Sequence, residues 1–253
     1  MSNVLAQSMN PLVSAPILEA APHDGFYAYL VFGALGLIAV LHGLYTGFRH
    51  KQWIPLLLCI GGALAVTVEP IYDVLGGIIY RDTFFGFEAF GLNTPGYLFP
   101  GYLLWVATMP WLMFEQFKKG MNGKVLYILA VVVFVSVTLT DFVGISSGHW
   151  QYYGEGPFSH VAGSFSMGPF LVLSGWLLFV LDEKVNGIAK LSYILLPGVL
   201  LNLAFSCISW PIFFSLHADM PLAGDLVAVA ITLFLAFAAI WFVDTDLKSR
   251  RKN

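Results

Sequence analysis

The chain has 253 residues, of which 58% are hydrophobic and 11% are charged, and its mean hydropathy is +0.79. Because soluble domains carry about 25% charged residues, this composition excludes an ordinary soluble protein and predicts a polytopic membrane protein. The net charge is −3, and the basic residues lie in short loops rather than on one extended face. Because a nucleic-acid partner would require such a basic face, we expect none.

Residues 1–25 contain three prolines and lack the basic stretch that begins a signal peptide, which predicts a short extra-membrane arm. Seven apolar segments follow, each close to the roughly 20 residues that cross a bilayer. They predict an all-α fold, with one seven-helix bundle over residues 26–245 and a basic tail over residues 246–253. The predicted spans are Phe26–Phe48, Trp53–Ile79, Tyr97–Phe117, Val125–Ile145, Gly163–Leu181, Leu191–Leu216 and Leu222–Val243.

Basic residues predict the orientation of this bundle. Eleven of the twelve Lys and Arg residues follow spans one, three, five and seven, and only Arg81 falls on the other side. Cytoplasmic loops carry an excess of Lys and Arg. The pattern therefore predicts an inner-membrane protein with its amino terminus outside and its carboxyl terminus in the cytoplasm.

Two long connections on the predicted outer side, residues 80–96 and 146–162, mix aromatic residues with glycine. Trp and Tyr rings commonly sit at headgroup depth, so one interpretation is an interfacial aromatic belt. The other interpretation is a pair of lids over a cavity that opens outward.

Two acids within the second predicted span are the first candidates for chemistry. Glu69 and Asp73 are four residues apart, which places them on one helical face about 6 Å apart at Cβ. An acid inside a span usually faces the bundle interior and marks a proton relay or reaction site. A hydrogen bond to another helix, for Glu69, and an interfacial position, for Asp73, are the simpler alternatives. Asp141 lies at a similar depth in the fourth predicted span and could be a third member of the group.

Other side chains could complete such a site. His149 is a fourth candidate catalytic residue, in the loop after the fourth predicted span. The candidates for substrate binding are Tyr72, Trp150, Tyr152, Tyr153 and Asn202.

The sequence lacks the common motifs of metal and cofactor sites. No His-x-x-x-His or Cys-x-x-Cys spacing occurs, and the seventh span has neither a histidine for zinc nor a lysine for retinal. Nucleotide, flavin and haem motifs are also missing, so we expect no cofactor and no metal.

Two short motifs resemble a known family. They are Glu69-Pro70-x-x-Asp73-x-x-Gly76 and Trp150-x-Tyr152-Tyr153-Gly154-x-x-Pro157. Together with the order of apolar segments over roughly residues 55–205, they resemble the bacterial spirocyclase AveC-like integral membrane proteins. The resemblance implies dehydrative cyclisation of a lipophilic polyketide dihydroxy-ketone to a spiroketal, sometimes with a further dehydration.

The residue types are compatible with that reaction. It needs a proton donor for a carbonyl or a leaving hydroxyl, a group that stabilises an oxocarbenium ion, and a base for the attacking alcohol. We expect Glu69 to act as the acid and Asp73 or Asp141 as the base and cation stabiliser.

Three other functions fit the same sequence. A small membrane terpene cyclase would use the same buried carboxylates. A proton-coupled transporter or sensor would spread its acids across both leaflets and often shows inverted repeats, and no repeat is evident here. A structural subunit of a membrane complex would depend on faces of small residues rather than on buried acids.

Overall fold

A computed structural model describes residues 21–153, 157–218 and 220–251. In this part of the chain, six helices are long and apolar enough to cross a membrane, which confirms the prediction of an all-α membrane protein. They are Pro22–His50, Ile54–Gly76, Gly123–Ser146, Ser159–Asp182, Gly187–Ile208 and Leu222–Arg250. Most of the predicted arm and the last two residues of the predicted tail lie outside the described residues.

These long helices are built from shorter regular elements. The α-helices are α1 (Phe26–His50), α2 (Ile54–Ala65), α3 (Glu69–Gly76), α4 (Leu98–Tyr102), α5 (Met109–Lys118), α6 (Gly123–Ser146), α7 (Ser164–Asp182), α8 (Leu196–Ile208), α9 (Trp210–His217) and α10 (Leu222–Arg250). Short 3₁₀ segments at Pro22–Gly25, Val66–Val68, Ser159–Val161 and Gly187–Leu195 extend several of them. The strands are β1 (Ile78–Tyr80), β2 (Gly86–Ala89), β3 (Leu92–Pro95) and β4 (Trp150–Tyr152).

The segment predicted as the third span is helical but irregular. Between α4 and α5 the backbone forms a π-helix over Leu103–Thr108, and the Thr108 hydroxyl donates to the Leu103 carbonyl at 2.7 Å. The segment is not among the six long apolar helices, so the count of seven spans stays a prediction. It packs inside the bundle, where Ala107, Trp111 and Phe114 are buried.

Two predicted spans extend past the ends of their helices. The second span ends at Gly76 rather than Ile79, because Gly77 takes a left-handed conformation (φ +61°) that terminates the helix. The sixth apolar segment does not run unbroken to Leu216. It stops at Ile208, and a separate helix begins at Trp210, since Pro211 has no N–H with which to continue the ladder.

The two long connections form small sheets at one end of the bundle, which we call the sheet end. Strands β1 and β4 pair antiparallel, with Ile78 opposite Tyr152 and Tyr80 opposite Trp150. Strands β2 and β3 form a hairpin over residues 86–95. Neither pairing was predicted. The β1–β4 pair joins the end of α3 to the end of α6.

Ion pairs lie at the opposite end, which we call the basic end. Asp182 contacts Lys118 at 3.4 Å and Lys190 at 3.6 Å, and Glu183 contacts Arg250 at 3.7 Å. These contacts bring together three segments whose basic residues were predicted to share one side of the membrane.

Helix α10 continues to Arg250, beyond residue 246 where the tail was predicted to begin. Asp246 accepts hydrogen bonds from Trp176 Nε1 at 2.7 Å and from Arg250 Nε at 2.6 Å. The start of the predicted tail is therefore helical and attached to α7.

The helices differ in how they are buried. Ile54–Gly76 and Ser159–Asp182 are the most buried of the six, whereas Pro22–His50, Gly123–Ser146 and Leu222–Arg250 are the least buried and expose many of their large apolar side chains. An apolar exposed face is what a helix in contact with lipid requires. Close approach at the centre depends on small residues, because a Cβ at Gly61 would collide with the Ile194 carbonyl oxygen.

Candidate functional site

A cavity of about 180 Å³ lies near the sheet end, and three carboxyl groups line it. Glu69 and Asp73 come from α3, and Asp141 faces them from α6. The structure therefore brings together the three acids that the sequence singled out, and it surrounds them mostly with apolar side chains.

The geometry of α3 places two of these acids. The 3₁₀ turn Val66–Val68 offsets α3 from α2, and Pro70 fits in the first turn of α3, where no intrahelical N–H bond is needed. Glu69 and Asp73 then follow one helical turn apart, facing inward, with only 8% and 1% of their surface exposed.

Glu69 is held by two phenols. The Tyr80 hydroxyl donates to Oε1 at 3.0 Å, and the Tyr102 hydroxyl donates to Oε2. Tyr80 belongs to β1, and Tyr102 lies where α4 meets the π-helix. Two donors stabilise negative charge on a carboxylate, so this arrangement suits Glu69 as an anion that faces the cavity.

Asp73, in contrast to Glu69, lacks hydrogen-bond partners among the described residues. Neither of its carboxylate oxygens has a hydrogen-bond partner among the described protein groups, although the side chain is almost completely buried. A buried polar group without a partner costs about 1–3 kcal/mol, and such groups in native structures call for a functional or structural explanation. Asp73 is therefore the member of the group whose placement is hardest to explain by stability.

Asp141 completes the group from the other side of the cavity. The Ser164 hydroxyl, at the start of α7, donates to Asp141 Oδ2 at 3.4 Å. The phenol of Tyr152, in β4, lies against the same carboxyl group. Each of the three acids thus has a distinct set of polar neighbours.

The phenols contributed by the sheet remain protonated. Burial, followed by the negative charge of Glu69, raises the pKa of Tyr80 well above its ordinary value. Burial, followed by the charge of Asp141, does the same to the pKa of Tyr152. Both hydroxyls therefore act as hydrogen-bond donors to the acids at neutral pH.

Aromatic rings form much of the remaining wall. Among the predicted binding residues, Tyr72, Trp150 and Tyr152 line the cavity. Tyr72 packs against Phe205, with ring centroids 4.5 Å apart. The faces of aromatic rings attract cations, and such contacts contribute about 0.5–2 kcal/mol.

Three predicted site residues lie elsewhere. His149 Nδ1 is 2.8 Å from the Ser147 hydroxyl, and its side chain lines a neighbouring groove rather than the acid cavity. Burial lowers the pKa of His149, so the ring is neutral at pH 7. Tyr153 does not line the cavity, and its N–H donates to the Gly77 carbonyl at 2.6 Å. Asn202 also lies outside the wall, and its amide donates to the Gly198 carbonyl of its own helix at 2.8 Å.

Tyr80, Tyr102 and Trp105 are among the cavity residues that were not predicted. Tyr80 was assigned to the connection after the second span, where aromatic residues are common. For Tyr102 and Trp105 the sequence does contain an indication of a functional position, because both lie between Pro100 and Pro110 in one apolar segment. Prolines of this kind often mark an irregular helix, and π-helical turns are frequent at functional sites.

Within residues 21–153, 157–218 and 220–251, no three His, Cys, Asp or Glu side chains are grouped closely enough to hold a metal ion. The three acids therefore share a cavity without forming a chelating cluster.

The fold and this cavity define an integral membrane protein with an interior pocket lined by acids and phenols. No family model, no curated protein and no solved structure matches the chain. The functional assignment therefore depends on the chemistry of the cavity itself.

Proposed function

We propose that the protein is a cofactor-free membrane cyclase that joins two parts of an apolar, polyketide-like substrate by acid/base catalysis with loss of water. The observation that supports this function most strongly is the composition of the cavity. Three carboxyl groups and four phenols converge in a largely apolar space of about 180 Å³.

The proposed reaction converts a dihydroxy-ketone to a spiroketal and one water molecule. An acid protonates the carbonyl, and one hydroxyl adds to give a hemiketal. Protonation of the hemiketal hydroxyl releases water and leaves an oxocarbenium ion, which the second hydroxyl attacks while a base accepts its proton. Positioned acids and bases accelerate such steps by about 10²–10⁴-fold.

The hydrogen bonds suggest how the acids divide these roles. From the sequence alone we expected Glu69 to be the proton donor. Because two phenols donate to it, Glu69 is better suited to stabilise the oxocarbenium ion. Asp73 has no donor among the described residues and is the better candidate to deliver the proton. Asp141, beside Ser164, would accept the proton of the attacking hydroxyl.

We further propose that Leu98–Lys118 is a seventh span and that the acid cavity lies in the outer half of the inner membrane. Two facts support this topology. The segment is helical throughout, and at about 1.5 Å per residue it is long enough to cross the hydrocarbon core. A seventh span also places eleven of the twelve basic residues on the cytoplasmic side.

The aromatic wall favours a second candidate function, a membrane terpene cyclase. Tyr72, Trp105 and Phe205 surround the acids, and aromatic faces could stabilise a carbocation formed by protonating an alkene or epoxide. A proton-coupled transporter is less well supported, because the three acids gather at one end of the bundle rather than along a path through it.

Mass spectrometry of lipophilic metabolites in a deletion strain tests the proposal. Dehydrative cyclisation predicts an accumulating precursor that is heavier than the lost product by one water. A precursor and product of equal mass would instead indicate isomerising cyclisation of the terpene type. An unchanged metabolite profile would contradict both cyclase functions.

Complementation of the deletion strain adds a matched control. Asp73→Asn removes a carboxyl group from the cavity, whereas Glu88→Gln removes an exposed carboxyl group on β2 that does not line the cavity. We expect the first variant to leave the precursor unconverted and the second to restore the product.

A further inference from the structure

A second, larger space adjoins the acid cavity. It is a groove of about 450 Å³ between α1 and α6, and apolar side chains form most of its surface. Val31 on α1 and Val143 on α6 line it and are more than half exposed. The groove therefore opens on a surface that would contact lipid acyl chains.

The groove and the acid cavity share one wall. Phe32, Trp105, Thr140 and Trp150 line both spaces. A single layer of side chains thus separates the lipid-exposed groove from Glu69, Asp73 and Asp141.

We propose that this groove binds the apolar chain of the substrate, and that the oxygen-bearing end reaches the acids past the shared side chains. The inference depends on the proposed function, since it assumes that the acid cavity is where the substrate reacts. The substrate class is therefore a lipid with one oxygenated, reactive end and an extended apolar chain.

The sizes of the two spaces support this division. Sites for drug-sized ligands occupy about 300–1,000 Å³, so the 180 Å³ cavity has room for a reacting end but not for a whole lipid. The groove adds about 450 Å³ next to it. Along α1 it extends from Tyr27 to Leu35, about 12 Å at 1.5 Å per residue, which is comparable to a medium-length alkyl or prenyl chain.

Trp150 is the shared side chain best suited to move. A Cβ at Gly144 would collide with its indole ring, so the ring lies directly on the α6 backbone. Its Nε1 has no hydrogen-bond partner among the described residues. Rotation of the indole away from the wall would therefore break apolar contacts, including the edge contact with Tyr80, but no hydrogen bond.

Photo-crosslinking of the full chain in phosphatidylcholine nanodiscs tests this route. Two hexadecanol probes are used, one with a diazirine beside the hydroxyl and one with a diazirine in mid-chain. We expect the mid-chain probe to label α1 and α6 along the groove. We expect the probe with the diazirine beside the hydroxyl to label the peptide that contains Glu69 and Asp73.

A matched pair of variants on α6 provides the control. Val143→Trp places a bulky ring in the groove, whereas Val132→Trp changes the same residue type at an exposed position that does not line the groove. Val143→Trp should lower labelling of the Glu69 peptide by about tenfold, which corresponds to about 1.4 kcal/mol of binding free energy. Val132→Trp should leave this labelling unchanged.

Equal labelling in both variants, or no labelling of the Glu69 peptide in the wild type, would overturn the proposed route. Labelling requires no turnover, so the outcome is independent of the cyclase assay. Full turnover by Glu69→Gln together with groove-dependent labelling would refute the proposed chemistry and leave the binding route supported.

Discussion

The two acids on α3 should respond in opposite directions to the same substitution. Asp73 is buried without a protein partner among the described residues, whereas Glu69 accepts two phenol hydrogen bonds. Leucine has a similar size to these side chains and removes the polar group. We therefore predict that Asp73→Leu stabilises the protein, whereas Glu69→Leu destabilises it.

The number of hydrogen bonds that each acid makes determines the expected change in unfolding free energy. Removing an unpartnered buried polar group should recover about 1–3 kcal/mol of unfolding free energy. In Glu69→Leu, two hydrogen bonds are lost and the phenols of Tyr80 and Tyr102 are left without an acceptor, which should cost about 2–5 kcal/mol. Since 1 kcal/mol shifts Tm by about 2–4 °C in a protein of this size, Asp73→Leu should raise Tm by about 4–8 °C for a gain of 2 kcal/mol.

A buried cysteine provides the assay. Cys59 is buried and becomes accessible to a fluorogenic maleimide on unfolding, and Cys207→Ser removes the signal of the exposed cysteine. Tm is measured for both leucine variants in this background, together with product formation. A lower Tm for Asp73→Leu would refute the reasoning, because it would show that Asp73 has a stabilising structural role. A higher Tm with full activity would separate Asp73 from catalysis.

Four further predictions follow from the site. A Cβ at Gly144 would collide with the Trp150 indole, so Gly144→Ala should displace the ring, lower the unfolding free energy by about 1–3 kcal/mol and reduce product formation. An unchanged Tm would contradict this packing. Tyr102→Phe removes one donor to the acid and should lower stability by about 1 kcal/mol and also lower the rate, as thermal unfolding and product assays would show. Asn202→Ala should keep full activity, because its amide bonds only to its own helix, and a large loss would place it in the site after all. In the folded protein the pKa of His149 lies below its ordinary 6.5, so the unfolded state binds more protons at low pH. The contribution of His149 to the free energy of unfolding should therefore fall as the pH drops below about 6.5 and stay constant above it. When Tm is measured against pH, this fall at low pH should disappear in His149→Gln.

Long apolar segments and the spacing of acids were readable from the sequence. The six helices that are long and apolar enough to cross a membrane follow from hydropathy, because a bilayer requires runs of a known length. The one-turn spacing of Glu69 and Asp73 likewise fixes their shared face. That Asp141 faces the same cavity depends on how α6 packs, and the sequence offered only a similar depth.

The sheet and the third helical segment were harder to predict. Strands β1 and β4 have three residues each and pair across about seventy positions of sequence, so no local pattern indicates them. As a result Tyr80, which bonds to Glu69, was assigned to a connection. Asn202 shows the opposite case, since it was singled out as a lone amide in an apolar span, and the structure lets it bond to a carbonyl one turn earlier, outside the cavity.

Turnover by purified Glu69→Gln tests the central claim most directly. The assay uses the protein in nanodiscs with the lipophilic extract of the deletion strain as the source of precursor, and Glu88→Gln as the control. We predict that Glu69→Gln lowers the rate by about 100-fold or more, because the negative charge that stabilises the oxocarbenium ion is lost, with helix content and Cys59 protection unchanged, while Glu88→Gln matches the wild type. Full turnover by a folded Glu69→Gln would contradict the account.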